Sequence, residues 1–432
     1  MFSHVSVTVV RRLLFSLLLL GAFPAFAAEP LGLQQAVDEA LASNPGLAAI
    51  NARAEALAAI PEQRGTLPDP RLNLNLQNVP LDSFSLTDEG MTQFQIGISQ
   101  ALPFPGKLAL QEAAAQQLAE AASLDVAELR LALARDVKTV WWNLFYLDRA
   151  LETVASNQTL LRQFVEVAQS KYSVGKGLQQ DVLLAQLELS RLLDRKIMLE
   201  GMRRNEAIRL NALLDRPASG EVVLPRRVDE SSPALLPERE LTERAKMLRP
   251  RLIARERLLE AARLRVDLAE KDYYPDFRLG AVWGVRGGEN PDGSERSDFG
   301  SLLFSMNLPI YSGSRQDRAL DQRNSERLRE QHTLHQLRLQ VEAEIGRALS
   351  DYRRGAEQAR LFKSGIIPQA SQTVASMLAG YQVNKVDFLN LVRSQITLYN
   401  YETQYWKALS ESRQALARLV SAVGEEDIYE KQ

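Results

Sequence analysis

The chain has 432 residues, a formal net charge of −2 and 45% hydrophobic residues, an ordinary globular balance that excludes a disordered polyelectrolyte and offers no basic bias for nucleic acid. It contains no cysteine and only 3 histidines, which excludes disulfides, thiolate metal sites, cysteine nucleophiles and acylation through cysteine.

At the N-terminus, Arg11 and Arg12, the apolar run Leu13 to Ala22 and the segment Pro24-Ala25-Phe26-Ala27-Ala28 read as an export signal over residues 1–27, with cleavage expected after Ala27. The apolar run is well short of the roughly 20 residues a spanning helix needs. No later stretch is long and apolar enough either, so insertion of the remaining chain into a membrane has to use strands. Leu31 to Thr66 is Ala-rich and helical, divided at Asn44-Pro45 because the residue before proline avoids the helical region. Arg71 to Val79 and Thr92 to Ala101 alternate apolar and polar residues with period two, as strands do. The polar segment Pro80 to Met91 between them has the composition of an exposed loop.

Next comes a helix with no Gly or Pro from Lys107 to Val174, striped by Val126, Leu129, Leu133, Val137, Val140, Leu144, Leu147, Leu151 and Val154 and continued by Leu161, Val165, Ala168 and Tyr172. At 1.5 Å per residue it would extend about 100 Å, far beyond a globular-domain helix. A turn at Gly175-Lys176-Gly177 returns the chain through a second helix.

The pattern then starts again. Leu241 to Asp272 is helical and split at Pro250, Phe277 to Arg286 and Phe299 to Leu308 are strands around the polar loop Gly287 to Asp298, and Leu334, Leu337, Val341, Ile345, Ala348 and Tyr352 stripe another long helix toward a turn at Asn384-Lys385-Val386. Landmarks align at nearly constant offset: 250 − 45 = 205 for the split-helix prolines, 309 − 103 = 206 for Pro103 and Pro309, 381 − 172 = 209 for the tyrosines before the turns. The expected organisation is a first repeat over 28–215, a linker over 216–237, a second repeat over 238–424 and a tail over 425–432. Four strands of nearly membrane-spanning length cannot close a barrel alone, and open edges are not tolerated in lipid, so the chain has to associate.

These residues resemble the TolC family of outer membrane efflux proteins over nearly the whole chain after the signal. The resemblance rests on the split helix at Asn44-Pro45, the strand exit Leu102-Pro103-Phe104-Pro105-Gly106-Lys107-Leu108, Ile367-Pro368-Gln369-Ala370 and the duplicated tips at Tyr172 and Tyr381. It implies a mainly α protein with transmembrane β: a homotrimer whose twelve-stranded barrel, four strands per chain, sits in outer membrane lipid and continues into a coiled-coil α-helical tunnel in the periplasm. The strand exit looks most like the CzcC-like heavy-metal branch. The implied role is a passive duct that receives substrate, heavy-metal cations on this branch, from an inner membrane RND pump through a periplasmic membrane-fusion adaptor. A multidrug or type I secretion duct is the alternative. A reading from another class is a periplasmic coiled-coil scaffold whose strands only cap helical hairpins.

By the same resemblance Gly175, Gly177, Asn384 and Val386 would contact the adaptor, while Tyr172, Asp181, Tyr381 and Asp387 would hold the tip shut through exchangeable hydrogen bonds. The plainer reading makes Asp181 and Asp387 helix caps. Relatives often carry a carboxylate ring above the second tip; here Asn390 and Arg393 stand there, and Arg393 is expected to pair with Asp181 or Asp387. His332 and His335 lie three residues apart on one helix, too few ligands for a tight metal site. Trp141 and Trp142 fall on the heptad stripe and read as packing residues, and Pro368 inside a helical pattern should kink or loosen it. No catalytic constellation, phosphate loop or cofactor motif is present, so no enzyme and no cofactor are expected.

Overall fold

The computed structural model describes residues 30–429; the export-signal reading of 1–27 and the last three residues of the expected tail lie outside them. Helices α1 (Leu33–Ser43), α2 (Pro45–Ala58) and α3 (Ile60–Gly65) lead into strands β1 (Arg71–Gln77) and β2 (Gln93–Leu102), followed by α4 (Lys107–Ser173) and α5 (Gln179–Leu213). The second half repeats this with α6 (Glu238–Leu248), α7 (Pro250–Lys271), β3 (Phe277–Val285), β4 (Phe299–Met306), α8 (Gln316–Leu361), α9 (Ile367–Gln382) and α10 (Phe388–Val423). Among the described residues no helix is long and apolar enough to cross a membrane.

The four strands form one antiparallel sheet in the order β1-β2-β3-β4, and β2 pairs with β3 although α4, α5, α6 and α7 intervene. Register explains the alternation. Leu72, Ile98, Ala281 and Leu302 align across the sheet, as do Leu74, Ile96 and Trp283, so one face is a band of exposed apolar side chains. The other face aligns Asn73, Gly97, Val282 and Ser301. There Asn73 donates to Ser99 Oγ at 3.4 Å, Asn75 to Gln95 at 3.3 Å, and Gln95 to Gln77. β1 and β4 each keep one unpaired edge.

α4, 67 residues long, runs antiparallel to α7 near the sheet and to α5 beyond it. Ion pairs mark the first contact along its length: Lys107 with Asp272, Glu120 with Arg257, Glu128 with Arg249. The expected stripe is realised in the buried Leu133, Val137, Val140, Leu144, Leu147, Val154 and Leu161. Trp141 and Trp142 belong to a core with Leu31, Val37, Phe145, Leu210 and Val222, and the Trp141 indole donates to the Leu31 carbonyl at 2.9 Å. The matching core of the second half gathers Leu241, Leu252, Val341, Ile345, Leu349 and Leu419.

Both proline breaks are realised. Asn44 caps α2, accepting from the Leu47 amide at 3.2 Å, and donates to the Leu213 carbonyl at 3.1 Å. Arg249, its counterpart, is 3% exposed and grips both carboxylate oxygens of Glu128. The regular α-helix is interrupted ahead of Pro368: a π-helical turn at Phe362–Ile366 precedes it and α9 restarts with the proline in its first turn. The wider turn relieves the clash between the proline ring and the preceding carbonyls and absorbs the missing N–H.

Candidate functional site at the helical tip

The hairpins α4–α5 and α9–α10 end at the same level and pack into one core of Leu161, Phe164, Ala168, Ala185, Tyr381, Phe388, Leu391 and Val392. Their turns are built alike. Gly175 takes a left-handed φ of 72° and Asn384 one of 60°, at positions related by 384 − 175 = 209. In the first turn the Lys176 amide donates to the Lys171 carbonyl at 2.9 Å and the Gly175 amide to the Tyr172 carbonyl at 3.0 Å. In the second, Lys385 donates to Gly380 at 2.8 Å and Asn384 to Tyr381 at 3.2 Å. Both are Schellman closures, which satisfy the last helical carbonyls and favour Gly or Asn at the left-handed position. Gly177 lies against the end of α4, where a Cβ would come 2.9 Å from Lys171 Cβ. Val386 packs beside Gly380 in the equivalent place.

The two hairpins are tied by side chains that the duplication does not share. Lys171 Nζ lies 4.1 Å from the Tyr381 ring centroid, donates to the Tyr381 carbonyl, and donates to Asn384 Oδ1 at 2.6 Å. A cation thus sits at the C-terminal end of α9, where free carbonyls and the helix dipole favour positive charge. Tyr381 is 5% exposed and stacks near Phe388, with ring centroids 5.1 Å apart. Its hydroxyl donates to Asp181 Oδ2 at a long 3.5 Å. Burial, then the charge and hydrogen bond of Asp181, push the Tyr381 hydroxyl up to about 12. Asp181 is itself raised, by burial first and by the nearby Asp387 charge, against the opposing pull of the Tyr381 and Leu178 hydrogen bonds and of Lys171.

Several expectations are altered here. Tyr172 does not continue the buried stripe: it is 47% exposed, because Tyr381 and Phe388 already fill the space between the hairpins at that height. The capping reading divides: Asp387 occupies the N-cap position of α10 with no side-chain cap bond, whereas Asp181, in the first turn of α5, reaches back to the backbone of the N-cap residue Leu178. Arg393 is exposed and pairs with neither Asp181 nor Asp387 within the described chain; Leu391 and Val392 face the core, which leaves the next side chain outside it. Asn390 and both histidines, His332 and His335, are exposed as well. Lys171 is the residue the sequence reading passed over. Its signal was a basic side chain in the last turn of α4, the position from which helix carbonyls are met.

An antiparallel sheet with one apolar and one amide face, merging into paired helical hairpins that close at a shared tip, is the fold of the TolC-like outer membrane channels. Solved structures share this fold. CusC superimposes with a TM-score of 0.78 at 17% identity, over 92% of this chain and 93% of that one. The outer membrane protein VceC of Vibrio cholerae does so with a TM-score of 0.76 at 19% identity, over 91% and 96%. Protein CyaE of Bordetella pertussis is 26% identical over 341 residues, 76% of this chain and 71% of its own length. The sequence pattern of the family described as outer membrane efflux protein matches residues 36–216 and 241–425, and the chain belongs to that family.

Proposed function

We propose that the chain is the passive exit duct of a tripartite efflux assembly, working as a homotrimer. The observation that carries this reading is the sheet: it has one apolar and one amide face, two unpaired edges, and direct continuity with the helical hairpins. Three sheets joined edge to edge would close twelve strands in outer membrane lipid with the apolar face outward, within the size range of known barrels. The hairpins then run through the periplasm to the tip. There Gly175, Gly177, Asn384 and Val386 meet the periplasmic adaptor, which connects to an inner membrane RND pump. Residues 28–215 and 238–424 act as the two repeats, 216–237 as the linker between them, 1–27 as the export signal and 425–432 as the tail.

At the gate, the Lys171–Tyr381–Asp181 contacts hold the two hairpins of one protomer together. Tyr172, Asp387 and Arg393, exposed in the single chain, are available to a neighbouring protomer. On cargo, only the strand-exit motif favours heavy-metal cations over a multidrug or protein-secretion role. Its Lys107 is engaged in the sheet–helix junction with Asp272 and Asp276, so the motif speaks first for that junction. A periplasmic scaffold needs no apolar sheet face, which disfavours that alternative. Cell fractionation tests the reading: a heat-modifiable trimer in the outer membrane that conducts ions in planar lipid bilayers is expected, and a freely soluble monomer would overturn it.

A further inference from the structure

Successive residues of a strand point to opposite faces, so the registers assign every charge on the sheet to a side. The apolar face carries no ionisable group. The amide face carries two, Arg71 and Arg278, among Asn, Gln, Ser, small and apolar residues. Both lie at the end where β2 leaves for α4: Arg71 opposes Ser99, and Arg278 lies between Ala101 and Ser305. Neither has a carboxylate within 4.0 Å among the described residues. Of the neighbouring carboxylates, Asp272 and Asp276 are held by Lys107, and the exposed Asp69, two residues before Arg71, lies beyond 4.0 Å of either guanidinium. Arg71 is exposed and Arg278 half-buried. At the opposite end of the sheet the connecting loops are acidic on balance, with Asp82, Asp88, Glu89, Glu289, Asp292, Glu295 and Asp298 against Arg296, and Arg286, directly after β3, lies over the Phe299 ring.

Guanidinium groups stay charged at any physiological pH. On the reading of the chain as a trimeric duct, the amide face lines the lumen. We infer that Arg71 and Arg278 of the three protomers form a cationic ring at the helix-side mouth of the barrel, favouring anionic solutes over metal cations as they pass from the tunnel into the barrel. With a Debye length of about 8 Å at physiological ionic strength and about 3 Å at 1 M, the field of such a ring reaches well into the lumen at low salt and is screened at high salt. The acidic outer loops oppose it, so the ring is read from the shift on removing it rather than from the sign of the native selectivity.

The test is reversal potential in planar bilayers under gradients of potassium chloride and of magnesium chloride. It uses the full-length trimer, Arg71→Gln, Arg278→Gln, the double variant and the double Glu variant. Both arginines lack ion-pair partners among the described residues, so the Gln variants should assemble as heat-modifiable trimers. The expected result is a shift toward cation permeability in each single variant, larger in the double Gln variant and largest in the Glu variant, shrinking as salt is raised. Channels whose reversal potential is unmoved by the double Gln substitution, or moves toward anions, overturn the cationic ring while leaving the duct reading standing. A native protein that assembles no conducting trimer overturns the duct reading, and the ring falls with it.

Discussion

Replacing Lys107 by Met tests how the sheet is fastened to the helices. Lys107 is 5% exposed, and its ammonium lies 3.0 Å from Asp272 Oδ1 and 3.0 Å from Asp276 Oδ1. Asp276 Oδ1 also accepts from the Phe104 amide at 2.8 Å, so one cluster joins the exit of β2 to the entry of β3. Removing one partner of a fully buried ion pair costs about 3–5 kcal/mol. Here the carboxylates are 51% and 42% exposed, water can take over part of the solvation, and the cost falls to about 1.5–3 kcal/mol. Burial lowers the Lys107 pKa, but hydrogen bonds and charges from Asp276 and Asp272 outweigh it and raise the net value. A raised lysine contributes stability that is complete below its ordinary value and lost only as pH rises through the higher folded value, so the clamp is constant around neutrality on the lysine side. The Phe104 amide is the natural reporter, since its partner is part of the cluster. Its hydrogen exchange should accelerate about ten- to a hundred-fold in Lys107→Met, the equivalent of that energy. Asp276→Asn keeps the Phe104 acceptor and should show a coupling of about 1 kcal/mol or more with Lys107→Met. Additive effects, or a Lys107→Met cost below about 0.5 kcal/mol, would refute the clamp.

At the tip, Lys171→Met should cost about 1–2 kcal/mol by losing the cation over the Tyr381 ring and two charge-assisted hydrogen bonds, less than a buried pair because the site is half open; faster exchange of the Asn384 and Lys385 amides checks it. Asp181 has a raised folded pKa, so acid should tighten the tip: the relief is complete below the ordinary aspartate value and disappears as pH rises through the folded one. Protection of the tip amides should therefore grow between neutral pH and pH ~4.5, just above that ordinary value, and Asp181→Asn, which still accepts from Tyr381, should flatten the profile; equal pH dependence in both proteins would sink the idea. Trp141→Phe removes the bond to the Leu31 carbonyl and part of a ring that is 1% exposed. It should destabilise the equatorial core by about 2–4 kcal/mol, seen as a lower melting temperature with the trimer retained.

The large-scale fold was legible because its signals are local and repeated. Period-two alternation at Leu72, Leu74 and Leu76 cannot fit a helix face, and an uninterrupted stripe from Leu133 to Leu161 cannot fit a strand. The turns were legible for the same reason, since Gly175 and Asn384 are residue types that tolerate the left-handed region. The side-chain network at the tip was not. Tyr172 and Tyr381 hold equivalent positions before equivalent turns and have opposite fates in space, one exposed and one buried. Which tyrosine enters the gap depends on how the two hairpins lean together, and no local pattern encodes that. Lys171 likewise finds its partners 210 and 213 residues away.

The duplication therefore preserves backbone and divides the chemistry. Gly175 and Asn384 close equivalent turns, and Asn44 and Arg249 precede equivalent prolines. Yet Asn44 fastens its helix through a neutral cap where Arg249 uses a near-buried charge pair. With the tip offset of 209, Lys171 answers to Gly380 because 380 − 171 = 209, and Asp181 answers to Asn390 because 390 − 181 = 209. Each charged member of the tip contact thus has a neutral twin, and the first hairpin supplies both charges while the second supplies the aromatic ring and the helix end that receive them. In the trimer proposed above, this asymmetry between the repeats would make the tip contacts alternate around the ring rather than repeat six times.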